Sequence, residues 1–429
     1  MSGRELRGGV HWIRVGCAPI LLSDEGSRKE GFQDFMKRVL AVSYYAPPIH
    51  NAESILVWKT LRALSQYHHM SLVTAPSYAN ENSELIFPLQ LHIIRKPDAK
   101  PTDRTLRRIF ERALGMIADE NILWSRFTRE SPWIQHDFDV VYSRSQPGAS
   151  HIMAWKIKKM IHKPWIAQFS DPWANNPYHT KRTRLRQKSD RHWEECVVRD
   201  ADMLIFPTEE LSAIYEESYP QLNVQSKSMI LPHHYTPELY GDGFSVSNSD
   251  DRSTVLRYFG EFYGIRSPEP LIRALSYFAQ SDPDLARRVK IEFVGNVESK
   301  FSNLLRNSPI PIRVDKMSYL ESLRSMRNTD VLLLIDAPSP NGVNIFLPSK
   351  LIDYLGAAKP IFAITDQKGT TSEILRQYGH SLCSHDDIQG IVAVLQRIMQ
   401  DKPMHFSAPL EFATNNVVAR LADLIERLG

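Results

Sequence analysis

Apolar residues along the chain fall into two kinds of stretch. Short β-branched or aromatic runs alternate with longer segments whose apolar positions recur at helical spacing, the signature of parallel strands joined by crossover helices. The alternation occurs twice. In the first half the predicted strands are VLAVSYYA (39–46), MSLVTA (70–75), LQLHIIR (89–95), DVVYSRS (139–145), WIAQFSD (165–171), DMLIFPT (202–208) and SMILP (228–232). In the second half they are VLRYFGEF (255–262), KIEFVGN (290–296), PIRVDK (311–316), DVLLLID (330–336), PIFAIT (360–365) and SLCSH (381–385). The strand interiors are continuously hydrophobic, so helices are expected on both faces of each sheet. Between the two sets YGDGFSVSNSDDRS (240–253) is rich in Gly, Ser and Asp, which predicts an interdomain linker. The fold class is therefore α/β, with two Rossmann-like doubly wound domains over 36–239 and 254–405. The closing segment 406–429 carries NVVARLADLIERL (416–428), an amphipathic helix expected to pack back across a domain surface. Ligands of such sheets sit at the carboxyl ends of the strands where the order reverses, so two facing domains place a cleft between two sets of loops. Residues 1–35 stand outside this plan. They read either as an N-terminal extension or as a start placed too far upstream of Met36, and the second is the expectation.

A chain of 429 residues exceeds one hydrophobic core, and 42% apolar with 24% charged residues excludes disorder as the default. Lys and Arg exceed Asp and Glu by only 52 to 49, which gives no reason to expect nucleic acid as a partner. Cys17, Cys196 and Cys383 are far apart and odd in number, which fits free thiols in a reducing compartment. No apolar run approaches the ~20 residues of a membrane helix, so a cytoplasmic chain is expected. The adjacent pairs His68–His69 and His233–His234 point in different directions and have no carboxylate at ligand spacing, so no metal site is expected.

Two stretches carry candidate chemistry. In PSKLIDYLGAAKPI (348–361), Ser349 is read as the N-cap of a helix whose apolar side is Leu351, Ile352, Leu355 and Ala358. Lys350 and Asp353, three apart, share a face at its first turn. They are either an i,i+3 ion pair on a solvated face or, with the helix N-terminus, a phosphate cation and a ribose diol acceptor. In YFGEFYGIRSPEPLIRAL (258–275), Gly260 and Gly264 allow close backbone approach to a ligand while Arg266 supplies a guanidinium suited to bidentate phosphate contact.

Taken with VSYYAPPIHNAES (42–54), DVVYSRSQPGASHIMAWKIKK (139–159), FSDPWANNPY (169–178) and LPSKLIDYLGAAKPIFAI (347–364), this order of motifs resembles the GT-B glycosyltransferases. It is similar to glycosyltransferase family 4 and its relatives in bacterial surface-polysaccharide synthesis, over residues 37 to 400. The resemblance implies a C-terminal domain that binds a nucleoside-diphosphate sugar and an N-terminal domain that binds the acceptor. It implies that Asp353 holds the ribose, that Arg266 and Lys350 grip the diphosphate, and that Gly295 and Asn296 border the base. Two positions depart from the family pattern. Ile345 stands where a glutamate usually contacts the transferred sugar, and the backbone amides of Gly342, Val343 and Asn344 are the expected substitutes. His50 and Asn51 stand where a glycine pair usually follows the first strand.

In the first half Asp171 ends a strand at the expected cleft, where the family carries an acidic residue or histidine. It is read either as a base or acceptor-orienting group or as a turn cap before Pro172. Arg144 is a candidate for an anionic acceptor, and Trp173 and Tyr178 are either sugar platforms or packing residues. TLRRIFERALGMI (105–117), KIKKMIHK (156–163) and HTKRTRLRQKSDR (179–191) are basic. They form either an anionic-membrane face that reaches a lipid-linked acceptor or ordinary solvated helix sides, and the second is favoured. The expected activity is metal-independent, retaining hexosyl transfer to a hydroxyl of a glycan or lipid-linked acceptor, with no cofactor beyond the donor itself. A sugar-nucleotide epimerase-type enzyme and a non-catalytic nucleotide-sugar-binding scaffold are the alternatives.

Overall fold

The computed structural model describes residues 36–47, 49, 51–75, 85, 90–93, 113–119, 121–125, 137–178, 182–241, 253–401 and 405–429; those from 37 onward belong to one compact unit. Its first sheet contains β1 (Arg38–Val42), β2 (His69–Thr74), β3 (Gln90–Ile93), β4 (Val140–Ser145), β5 (Trp165–Phe169), β6 (Met203–Phe206) and β7 (Ser228–Ile230). They lie side by side in the order β3-β2-β1-β4-β5-β6-β7, and every pairing is parallel. The second sheet is built from β8 (Thr254–Phe259), β9 (Val289–Val294), β10 (Ile312–Asp315), β11 (Val331–Ile335), β13 (Ile361–Ile364) and β15 (Ser381–Cys383), in the order β10-β9-β8-β11-β13-β15 and again parallel. Both sheets thus step outward from their first strand, return, and continue on its other side. The reversal falls between β1 and β4 in one and between β8 and β11 in the other, and that is where a doubly wound sheet opens a crevice.

Helices cover the sheets as continuous hydrophobic strands require. In the first half they are α1 (Ala52–Leu64), α2 (Ala149–Ile161), α3 (Arg184–Asp200) and α4 (Glu209–Ser218), followed in the second by α5 (Glu269–Ser281), α6 (Tyr319–Arg327), α7 (Ser349–Ala357), α8 (Thr370–Gln377), α9 (Ile388–Gln400) and α10 (Thr414–Leu428). Several begin on side-chain caps: Asn51 accepts from the Ser54 amide, Thr183 from Arg186, Thr208 from Leu211, and Ser318 forms a capping box with Glu321. The last helix belongs to the first sheet. Its stripe of Val417, Val418, Leu421, Ala422 and Ile425 joins Val57 and Leu61 of α1 and Val39 and Ala41 of β1 in one buried cluster. The chain therefore crosses between the halves twice, and the crossings touch. The Tyr235 amide donates to the Phe412 carbonyl at 2.9 Å, and the Thr414 amide donates to the Tyr235 carbonyl at 2.8 Å.

All thirteen strands expected from the sequence are present, but several are shorter than the apolar runs that announced them. Strand β8 stops at Phe259 although apolar character continues to Phe262, because Phe262 folds back and stacks on Tyr258 at 4.3 Å, almost fully buried. A two-stranded ribbon, β12 (Val343–Asn344) with β14 (Lys368–Gly369), has no counterpart among the expected strands, since two residues carry no periodicity. Of the expected linker only Tyr240, Gly241 and Ser253 lie within the described residues. Tyr240 is buried and its hydroxyl donates to the Asp353 carbonyl at 2.6 Å, so the first crossing is packed structure up to that point.

Candidate functional site

The reversal point of the second sheet gathers cations. Strand β8 is followed by Gly260 with φ +138° and β9 by Gly295 with φ +142°. A Cβ on Gly295 would lie 2.0 Å from the Gly260 carbonyl oxygen, so the two turns cross with no room for a side chain. The turn after Gly260 carries Arg266, whose guanidinium lies 5.4 Å from the Tyr263 ring centroid; its Nε has no hydrogen-bond partner among the described residues. Opposite stands Lys350 in the first turn of α7. Its ammonium donates to the Tyr258 hydroxyl at 3.0 Å and the Ile335 carbonyl at 3.3 Å, and stands 3.9 Å from Asp336 Oδ1. Burial and the neighbouring Arg266 charge push Lys350 down to about 7, while Asp336 pulls the other way. A buried lysine depressed further by a neighbouring guanidinium lacks a full counter-charge. An incoming anion would relieve it.

Several local readings are corrected here. Pro348, not Ser349, occupies the N-cap of α7, with no side-chain capping bond; Ser349 is the first helical residue, because Pro348 already sets an extended backbone at φ −63° and ψ 127°. Nor do Lys350 and Asp353 pair with each other. Lys350 reaches down to the strand ends, whereas Asp353 is buried and turned toward the first half, where its Oδ1 accepts from Lys59 of α1 at 3.0 Å. The Tyr319 hydroxyl lies 3.2 Å from both carboxylate oxygens. The expectation for the 342–344 amides fails in part as well. The Gly342 amide donates to the Ser339 carbonyl at 3.1 Å and the Val343 amide to Asn341 Oδ1 at 3.3 Å, so a tight turn consumes both. Asn344, buried, lies in β12 and donates its side-chain amide to Asp336 Oδ2 at 3.4 Å. Asn296 is turned to the neighbouring turn after β8, donating to Glu261 Oε1 at 2.6 Å.

In the first half the reversal point holds carboxylates. Glu53, in the first turn of α1, accepts from Arg144 Nε and from the Ser170 hydroxyl, both at 2.8 Å. Asp171 follows Ser170, half-buried, and burial together with the Glu53 charge pushes its carboxyl up to about 7. Arg144 is 3% exposed and also donates to Thr60 at 3.1 Å, so its Nε and Nη1 are committed to this network, while Nη2 has no partner among the described residues. Trp173 is 2% exposed, lies against Gly148 and sends its indole N–H to Asp190 at 3.3 Å; it is a packing residue, not a sugar platform. Asn51 is the α1 cap, and His50 lies outside the described residues. Tyr178 spans the halves. Its ring stacks on Phe346 at 5.0 Å and its hydroxyl donates to the Ala337 carbonyl at 3.3 Å, beside the segment that holds Ile345.

The sequence reading passed over Glu53, Lys59 and Asp336. Signals existed for the last two: Asp336 terminates the strand run DVLLLID, and Lys59 interrupts the apolar ILVWKTL of α1. The basic segment 105–112 lies outside the described residues, and among those described no three His, Cys, Asp or Glu side chains converge as metal ligands. No described helix is long and apolar enough to cross a membrane.

No protein-family model matches the chain, and no curated protein matches it by sequence. Solved structures do match by shape. HepE of Anabaena in complex with UDP and glucose superposes with a TM-score of 0.61 at 11% identity, covering 91% of this chain and 100% of that one. Sucrose-phosphate synthase of Thermosynechococcus elongatus gives 0.59 at 14%, covering 91% and 94%. WaaG, a glycosyltransferase involved in lipopolysaccharide biosynthesis, gives 0.58 at 14%, covering 91% and 97%. The two parallel doubly wound sheets of this chain form the GT-B fold.

Proposed function

We propose that this protein is a glycosyltransferase that moves a sugar from a nucleoside diphosphate to a hydroxyl of a glycan or lipid-linked acceptor, as in surface-polysaccharide synthesis. The observation that carries the reading is the convergence of Arg266 and the depressed Lys350 at the reversal point of the second sheet. Together with the N-terminus of α7 they form a seat for a diphosphate, the group on which negative charge gathers as the glycosidic bond breaks. On this reading Asp353, one turn further along the same helix, accepts from a ribose hydroxyl. Asp171, across the reversal point of the first sheet, is poised near neutrality to accept or return the acceptor's proton. The fold neighbours include one crystallised with UDP-glucose, in keeping with such a donor. The reading extends to retaining, metal-independent transfer, in which Arg266 and Lys350 carry the leaving-group charge. A panel of UDP-, GDP-, ADP- and dTDP-sugars tests it by thermal shift followed by nucleotide release. One family of donors should stabilise the protein and release its nucleoside diphosphate when acceptor is added. Stabilisation by none of them at millimolar concentration contradicts the reading, and conversion of the donor to an isomeric sugar without acceptor marks an epimerase instead.

A lipid-linked acceptor requires the protein to approach a membrane surface, and one patch suits this. Met116, Ile117 and Leu185 are 58%, 53% and 62% exposed, on segments joined by bonds from Thr183 and Arg186 to the 115–118 backbone, next to the exposed Arg184 and Lys188. Apolar side chains ringed by cations fit the interface of an anionic bilayer. Flotation with phosphatidylglycerol vesicles at low salt should recover the protein with the lipid and lose it for Leu185→Glu; absence of wild-type flotation discards the membrane face.

A further inference from the structure

The donor pocket described above belongs to the second half, yet its acidic residue is gripped by the first. Lys59 stands in the middle of α1, its side chain 1% exposed, and its ammonium donates to Asp353 Oδ1 at 3.0 Å and to the His234 carbonyl at 2.7 Å. His234 lies on the first crossing between the halves. Its ring is fixed on both sides, Nε2 by Thr60 at 3.1 Å and Nδ1 by Thr414 at 2.8 Å, and Thr414 opens α10 after the second crossing. Lys59 and Thr60 of one helix therefore hold the connection between the halves, and Lys59 alone extends from there to α7.

The partners on the carboxylate are unequal. Among the described residues, Oδ1 accepts from both Lys59 and Tyr319, whereas Oδ2 receives only the shared Tyr319 hydroxyl. A carboxylate oxygen has room for about two acceptor bonds, so the spare capacity lies on Oδ2. Burial pushes Asp353 toward its neutral form, and Lys59 is the strongest influence against it.

Building on the donor-site reading, we infer that Lys59 is a positioning residue for nucleoside recognition: its bond to Oδ1 turns the Asp353 carboxyl so that Oδ2 is left for a ribose hydroxyl, making a residue of the first half part of the donor pocket. Lys350 and Arg266 make no contact with this pair, so the nucleoside and diphosphate parts of the affinity separate. Without Lys59 the buried carboxyl loses its ionic partner and keeps, among the described residues, only the Tyr319 hydroxyl to fix its orientation.

The test is calorimetric titration of wild type, Lys59→Met and Tyr319→Phe with two probes, UDP and inorganic pyrophosphate, with thermal melts to establish folding. Lys59→Met should weaken UDP about tenfold or more, since a hydrogen bond to a charged group is at stake, and leave pyrophosphate within about twofold. Tyr319→Phe, which spares the contact between the halves, should shift the same ratio in the same direction. A folded Lys59→Met with unchanged UDP affinity overturns the inference, as does an equal loss for both probes, which would mean general damage to the pocket. Wild-type protein that binds neither probe overturns the donor-site reading and this one with it.

Discussion

Lys350→Ala and Arg266→Ala should each lower kcat/KM for sugar transfer by about 10²–10³-fold while the protein melts cooperatively, because each removes a preorganised cation from the site where the leaving diphosphate gathers charge. The structure makes this the largest effect for a specific reason. Lys350 is anchored to the Tyr258 hydroxyl and the Ile335 carbonyl, so its nitrogen is placed before the substrate arrives and only its protonation changes on binding. Arg266 lies over the Tyr263 ring and its Nε has no partner among the described residues, which leaves that N–H for a phosphate oxygen. The two should be non-additive, because Arg266 depresses the Lys350 ammonium and its removal alone partly relieves that lysine; the double variant should lose more than the product of the singles. Steady-state assay of all three variants checks it. Wild-type turnover in both singles removes these residues from the reaction.

Asp171→Asn should lower kcat by about 10²–10⁴-fold, the range for a lost general base, with KM for the donor little changed because the diphosphate seat lies on the other sheet. The pH profile separates this from a packing effect. Asp171 titrates at about 7 in the free protein and must be ionised to accept a proton, so activity rises with pH through that value. Lys350, also at about 7, must be protonated to hold the diphosphate, so kcat/KM falls again above it and the profile is a narrow bell. Once donor is bound, the diphosphate raises Lys350 and the alkaline limb of kcat moves upward by one or more pH units. In Asp171→Asn the acid limb should vanish while the alkaline limb stays. Retention of both limbs assigns the proton transfer elsewhere.

Much of the architecture was legible because parallel strands buried on both faces leave uninterrupted hydrophobic runs, and every run named from the sequence proved to be a strand. Their ends were less legible. Phe262 is as buried as any strand residue, and hydropathy alone does not separate a strand from a turn folded back onto it. The phosphate cations could be found as well, since Lys350 and Arg266 each stand in a helix-start or glycine-turn context that has a chemical reading of its own. Contacts between distant segments were not. Lys59 and Asp353 are 294 positions apart, and only the twofold crossing of the chain brings α1 against α7. Trp173 shows the same limit from the other side. A tryptophan next to a cleft-edge aspartate reads as a sugar platform, but Gly148 leaves a space that its ring fills. The ordinary rule for a large aromatic won.

The central claim is that a diphosphate lands on Lys350, and proton linkage tests it most directly. At pH 8 the free ammonium, with its value near 7, is mostly deprotonated, and a bound diphosphate must recharge it. UDP titrated calorimetrically at pH 8 in two buffers of different ionisation enthalpy should show uptake of about one proton by the wild-type protein and close to none by Lys350→Met. Tight UDP binding with no proton uptake in the wild type, or equal uptake in both proteins, would contradict the account.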